Sequence, residues 1–163
     1  MGTHVVEPLF NGANKRERCA SIYREMVAYY DAHDISDRFD CLLACFFEQE
    51  NSKAPYKLRG RAAKIRALVP FAWQIAQEML DMEVPMYSAI AQTAFHLHET
   101  YAALSANHPS PVAAMQEHGR KFAIQYVALH DFLNSANDRA FRIKPKMHLF
   151  LHITSDDSLP RLI

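Results

Sequence analysis

With 163 residues, half of them hydrophobic and 22% charged, the chain has the composition of one globular domain able to bury a core, which excludes an intrinsically disordered segment. Its formal net charge is zero, so attraction to nucleic acid or to a membrane surface has to come from local clustering rather than a global field. Only four glycines punctuate the sequence, which favours long helices over many short strands.

The three cysteines, Cys19, Cys41 and Cys45, make no even disulfide framework and point to a reducing, intracellular setting, cytoplasmic or nuclear. The opening Met1-Gly2-Thr3-His4-Val5-Val6-Glu7-Pro8 lacks the basic start and apolar run of a signal peptide. No apolar stretch is long enough to span a bilayer, so no membrane partner is expected.

Residues 1–13 read as an irregular lead-in, with Pro8 and Gly12 as breakers. Asn14 is a good N-cap type, and Cys19, Ile22, Met26, Tyr29 and Tyr30 follow at helical spacing, so a first helix is predicted from there to about His33. A second helix is predicted from Ser36, with Phe39, Leu42, Leu43, Phe46 and Phe47 central to the core. Cys41 and Cys45 would then share a face, where small apolar cysteine in a core is the ordinary reading and metal ligation the rarer one.

Residues 48–56 read as a loop. Next comes Lys57-Leu58-Arg59-Gly60-Arg61-Ala62-Ala63-Lys64-Ile65-Arg66, the densest positive patch, with no acid inside it. It reads either as a solvated helix face or as a phosphate-contacting surface. Ile65, Leu68, Val69, Ala72, Trp73, Ala76, Met79 and Leu80 fit the helical template, but Pro70 interrupts it. Two helices meeting near Val69 are preferred over one kinked helix, with Trp73 as a core anchor. After a short connector at 81–84, Pro85 opens another helix with the stripe Met86, Ala89, Ile90, Thr93, Leu97, Tyr101 and Leu104. His96 and His98 are two apart, point to different sides and make a poor metal pair.

Ser110-Pro111 is a strong start signal. Val112, Met115, Gly119, Phe122, Tyr126, Leu129, Leu133 and Ala136 follow in steps of three and four, so a long helix to about Arg139 is predicted as the central member. Gly119 marks a close approach by a neighbouring helix. Residues 139–146 form a second basic stretch, read as extended, and 147–153 a short helix. His148 and His152 are four apart and share a face, which permits a shared metal. The alternative is a packing and hydrogen-bonding role for one of them. Residues 154–163 read as an irregular tail, and the abrupt end suggests a fragment of a larger protein.

The segment from Lys57 to Trp73, with Leu58-Arg59-Gly60-Arg61-Ala62-Ala63-Lys64-Ile65-Arg66-Ala67-Leu68-Val69-Pro70 at its centre, resembles one in large mobile-element-type proteins, as does Leu129-His130-Asp131-Phe132-Leu133. The Lys144-Pro145-Lys146-x-His148-x-x-x-His152 signature is similar to one in the helical part of Kyakuja–Dileera–Zisupton and related cut-and-paste transposases. The resemblance implies a larger nuclease that uses three carboxylates and divalent metal. This sequence has no strand-rich core to hold the first two, so no catalysis is expected of this chain alone and no catalytic residue is assigned.

The fold expected is all-α, an irregular bundle of five to seven helices in one domain, with a long helix in the C-terminal half. The leading functional expectation is a non-catalytic helical module of a mobile-element-derived protein. It would contact DNA through Lys57, Arg59, Arg61, Lys64, Arg142, Lys144 and Lys146, with the rest of a larger protein as a further partner. One alternative is a metal-binding bundle, enzyme or sensor, that uses His148 and His152 with a divalent ion. The other is a protein-binding helical scaffold that carries no cofactor.

Overall fold

The computed structural model describes residues 12–42, 47–48, 57–58, 61–104 and 109–135. Among these residues the architecture is all-α apart from one two-residue pairing. Four helices occur, α1 (Lys15–Ala32), α2 (Ala62–Met79), α3 (Pro85–Ala102) and α4 (Pro111–Ser135), where five to seven were expected. Two short antiparallel strands, β1 (Phe47–Glu48) and β2 (Lys57–Leu58), pair Phe47 with Leu58 and Glu48 with Lys57. The short helix expected at 147–153 and the connector at 139–146 lie outside the described residues.

The start of α1 is as its sequence predicts. The Asn14 side chain accepts from the Glu17 amide at 3.0 Å, while Glu17 reaches back to the Ala13 amide at 2.9 Å. This reciprocal arrangement satisfies amides that the helix leaves without internal partners. Gly12 lies so close that a Cβ there would sit 2.6 Å from the Arg18 amide nitrogen, which only glycine tolerates.

The far end of α1 closes on His33. Asp34 takes φ 50°, in the left-handed region, and the Ile35 amide returns to the Tyr30 carbonyl at 3.0 Å. This is a Schellman closure, and Ile35 packs onto the cluster that contains Tyr30. Arg38 completes it. Its guanidinium donates to the Tyr30 carbonyl at 3.0 Å, to the Ile35 carbonyl and to the Asp31 carboxylate, and lies 5.7 Å from the Tyr30 ring centre.

The helix expected from Ser36 is overturned. Residues 36–42 are irregular and form a strap over α1. The Tyr23 hydroxyl donates to the Asp40 carbonyl at 2.6 Å and lies 3.3 Å from that of Phe39. These bonds hold the strap backbone against α1 while its residues run irregularly. Phe39 and Leu42 are nevertheless buried, with Met26, Tyr30 and Phe71, in the first core cluster. Cys41 is half-buried on this strap and so has no helical face to share. Leu43, Cys45 and Phe46 lie outside the described residues.

Pro70 also differs from expectation, since α2 runs through it as one helix. The carbonyl of Arg66 loses its usual donor. Arg66 and Pro70 both line an open hollow, where water can reach that carbonyl. Phe71, outside the expected apolar set, is buried instead, whereas Trp73 is half-buried. Trp73, Tyr87 and Ile90 flank the second cluster, Ala76, Leu80 and Ala91.

The connector before α3 is an Asx turn: Asp81 accepts from the Glu83 amide at 2.9 Å, and Pro85 opens the helix. On α3 the buried residues are small, Ala91, Thr93 and Thr100. The stripe predicted there is displaced at its end, where Tyr101 and Leu104 are exposed. The most extensive helix pairing is α3 on α4, followed by α2 on α3, so α3 takes the central place expected of the long helix. On α4, Met115, Gly119, Phe122, Leu129 and Leu133 are buried as predicted, and Val112 is exposed. Residues 136–139, the expected end of that helix, lie outside the described residues.

Arg38→Ala should lower unfolding stability by about 1–2 kcal/mol, mostly through the lost carbonyl bonds, because the pair with exposed Asp31 contributes little. Arg38→Lys should recover little of it, since one ammonium cannot reproduce the fork. Urea denaturation of the three proteins checks both statements.

Candidate functional site

The α3–α4 contact brings two histidines together. His96 Nδ1 and His118 Nδ1 are 3.0 Å apart, both side chains half-buried. At that distance one ring donates and the other accepts, so the pair holds a single proton between its facing nitrogens. Phe95 stands beside both, 5.1 Å from the His96 ring and edge-on to His118 at 5.8 Å.

Helical spacing explains the placement. Thr93, His96 and Thr100 step by three and four along α3; Met115, His118 and Phe122 do the same along α4. Both threonine hydroxyls are satisfied within α3, Thr93 by the Ala89 carbonyl and Thr100 by that of His96, each at 2.7 Å. One turn along α3 from His96, Gln92 accepts from Gln125 of α4 at 2.8 Å, which leaves Gln125 Oε1 buried without a partner.

Burial pushes the His96 pKa below its ordinary value, and the facing His118 and nearby Lys121 push the same way against weaker opposition from Glu117 and Glu99. Lys121 is itself engaged, 2.6 Å from Glu117, and holds that carboxyl below the usual range.

On its other side Phe95 meets Trp73, ring centres 5.1 Å apart, at a groove between α2 and α3. The groove has a volume of about 380 Å³ and is lined chiefly by Trp73, Gln77, Met82, Ala91 and Phe95. Met82 is 43% exposed, so the apolar lining reaches the surface. Glu78, Asp81 and Glu83 are exposed neighbours of lining residues. No lysine or arginine occurs between Arg66 and Arg120, so this part of the chain is uniformly acidic. A second, larger hollow of about 510 Å³ is more polar, with Asp34, Asp37, Arg66 and His98 among its lining. Among the described residues, none of those four bonds another.

The residues predicted for nucleic acid fare unevenly. Lys57 is in β2, and Arg61 is exposed as the residue preceding α2. Lys64 is bound to Asp40 at 2.9 Å, and this bond, ahead of the more distant Arg61, holds the Asp40 carboxyl below its usual range. Arg59, Arg142, Lys144 and Lys146 lie outside the described residues, as do His148 and His152 of the predicted metal pair. Among the described residues no three His, Cys, Asp or Glu side chains converge as a metal site. No helix among them is long and apolar enough to cross a membrane.

In sequence His96 lies two residues from His98 and 22 from His118, so local spacing does not pair it with His118. The usable signal was a histidine inside each helix's buried spacing. Comparison with protein-family models, curated proteins and solved structures finds no match for this chain.

A pH dependence follows from the His96 shift. The unfolded chain binds more protons than the folded chain once pH falls below about 6.5, the ordinary histidine value. Stability should therefore drop as pH falls through that window, down to the lowered folded-state value, and not change further from this group below it. His96→Gln should reduce the pH slope between 7.5 and 5, as measured by urea denaturation at a series of pH values.

Proposed function

We propose that this chain is a non-catalytic helical docking module whose recognition surface is the groove between α2 and α3. The observation that carries this reading is an apolar slot, with Trp73, Met82 and Phe95 in its lining, set in a part of the chain that holds acids and no lysine or arginine. Aromatic and methionine side chains suit a groove that receives an apolar anchor. The acids Glu78, Asp81 and Glu83 select the charge of the partner. Together they fit a basic amphipathic helix from another protein, apolar face inward and lysines or arginines toward the rim.

Trp73 is the only tryptophan, so its fluorescence reports the groove directly. A tryptophan-free amphipathic leucine–lysine peptide should shift its emission to the blue, and Met82→Glu should weaken binding about tenfold, roughly 1.4 kcal/mol. A leucine–glutamate peptide that binds equally well, or no response to the lysine peptide, would remove the basis of this reading. Self-association that buries Trp73, seen by sedimentation, would reassign the groove to a second copy of the chain.

A second reading, nucleic-acid contact, has its own support. Arg61 and Arg66 are exposed at the N-terminal part of α2 and carry no ion pair among the described residues. The resemblance of residues 57–66 and 144–152 to mobile-element proteins points the same way. Phosphate contacts release counterions, so DNA affinity should fall steeply with salt. Arg61→Ala with Arg66→Ala, and separately Lys144→Ala with Lys146→Ala, should each flatten the dependence, by about one in slope per lost contact. An unchanged slope in both double variants would reject these residues as contacts.

A further inference from the structure

We propose that His96 and His118 form a two-imidazole site for a borderline divalent transition ion of the zinc, nickel or copper(II) class, held between α3 and α4. The inference is independent of the groove and concerns a different pair from His148 and His152.

The geometry is the first argument. Imidazole nitrogens bind such ions at about 2.0–2.1 Å, so two of them on adjacent positions of one ion are separated by roughly 3.0–3.4 Å. The two Nδ1 atoms are 3.0 Å apart, one on each helix, with the ring centres 5.2 Å apart, so each ring has to turn its Nδ1 off the line that joins the two nitrogens to admit an ion. The same atom of each ring faces inward, and the ring that donates from Nδ1 has to carry its proton on Nε2 instead for both Nδ1 atoms to ligate.

The second argument is charge. Glu117 and Glu99 both act electrostatically on His96, and both would favour an approaching cation. Lys121 would repel one, but its ammonium is 2.6 Å from the Glu117 carboxylate, which offsets much of its charge. His98 belongs to a separate environment beside Glu99, at 3.8 Å.

The chemistry of the pair sets the class of ion. Imidazole suits zinc, nickel and copper, whereas magnesium and calcium call for oxygen ligands. No third histidine, cysteine or acid converges there among the described residues, so water fills the remaining positions. Binding should accordingly be weaker than at a four-ligand structural zinc site, and its effect is to fasten α3 to α4.

The test uses the full chain with the metal alone. Substoichiometric copper(II) should first broaden the imidazole NMR signals of His96 and His118 among the nine histidines. Zinc chloride should raise the thermal midpoint in a concentration-dependent way, and magnesium chloride should not. His96→Asn and His118→Asn should each weaken zinc binding at least tenfold, and His98→Asn should leave it unchanged. Either variant suffices if the other does not fold, and the copper experiment needs neither. First broadening at other histidines, a zinc response that survives both variants, or one abolished by His148→Asn with His152→Asn instead, would overturn the proposal.

Discussion

The close seating of α3 between α2 and α4 is the constraint on which the rest of this structure depends. It is possible because the buried residues of α3 are small: Ala91, Thr93 and Thr100. Small side chains let two neighbours approach the same helix, while the larger contributions come from opposite it, from Leu80 on one side and Phe122, Leu129 and Leu133 on the other. The threonine hydroxyls return to carbonyls of their own helix and so need nothing from the neighbours. Enlarging Thr93 or Thr100 would force helices apart at a cost of about 1–3 kcal/mol, the usual consequence of overpacking. Once α3 is seated, the intermediate-sized side chains at its edges, Phe95 and His96, fall at the two seams. One meets Trp73 across the α2 seam and the other meets His118 across the α4 seam.

The N-terminal part works by a different principle. There α1 packs against α2 through Ile65, Leu68, Phe71 and Ile75, and also against a strap that supplies what the helix end lacks. Arg38 donates to the Tyr30 carbonyl near the end of α1, Tyr23 donates to carbonyls of the strap, and Phe39 and Leu42 bury themselves against Met26 and Tyr30. Met26 and Tyr30 are almost wholly enclosed, at 1% and 0% exposure, although the strap is irregular. Burial here depends on where side chains land, and regular backbone is only one way to deliver them.

These two principles explain what could be read from the sequence. The starts of α1, α3 and α4 were legible because Asn14, Pro85 and Ser110-Pro111 act on their own first turns, within a few residues. The buried face of α4 was legible because seven helical turns repeat one period. The strap was not: Phe39 and Leu42 are three apart, a spacing that a helix and an irregular strap produce alike, and the bonds that tie the strap to α1, from Tyr23 and Arg38, are not local in sequence. Pro70 misled for a related reason, since its cost depends on whether water reaches the Arg66 carbonyl. The histidine pair is 22 residues apart in sequence, so no local spacing could announce it. Each member alone was visible as a polar residue within a buried period. The lysine patch was legible as charge but not as free charge, because Asp40 lies in the strap that the sequence reading had made helical.

Phe95 gives the two candidate surfaces a common wall. Its ring lies 5.1 Å from Trp73 and 5.1 Å from His96, and packed interiors do not let one face of a ring move alone. An anchor that enters the groove deeply enough to turn Phe95 must also alter the space beside His96 and His118. An anchor that stops at Met82 leaves that space untouched. Glu78, Asp81 and Glu83 are exposed and adjoin lining residues in sequence, and the chain holds no lysine or arginine between Arg66 and Arg120. On the proposed docking reading, these acids would favour a cationic partner at the groove.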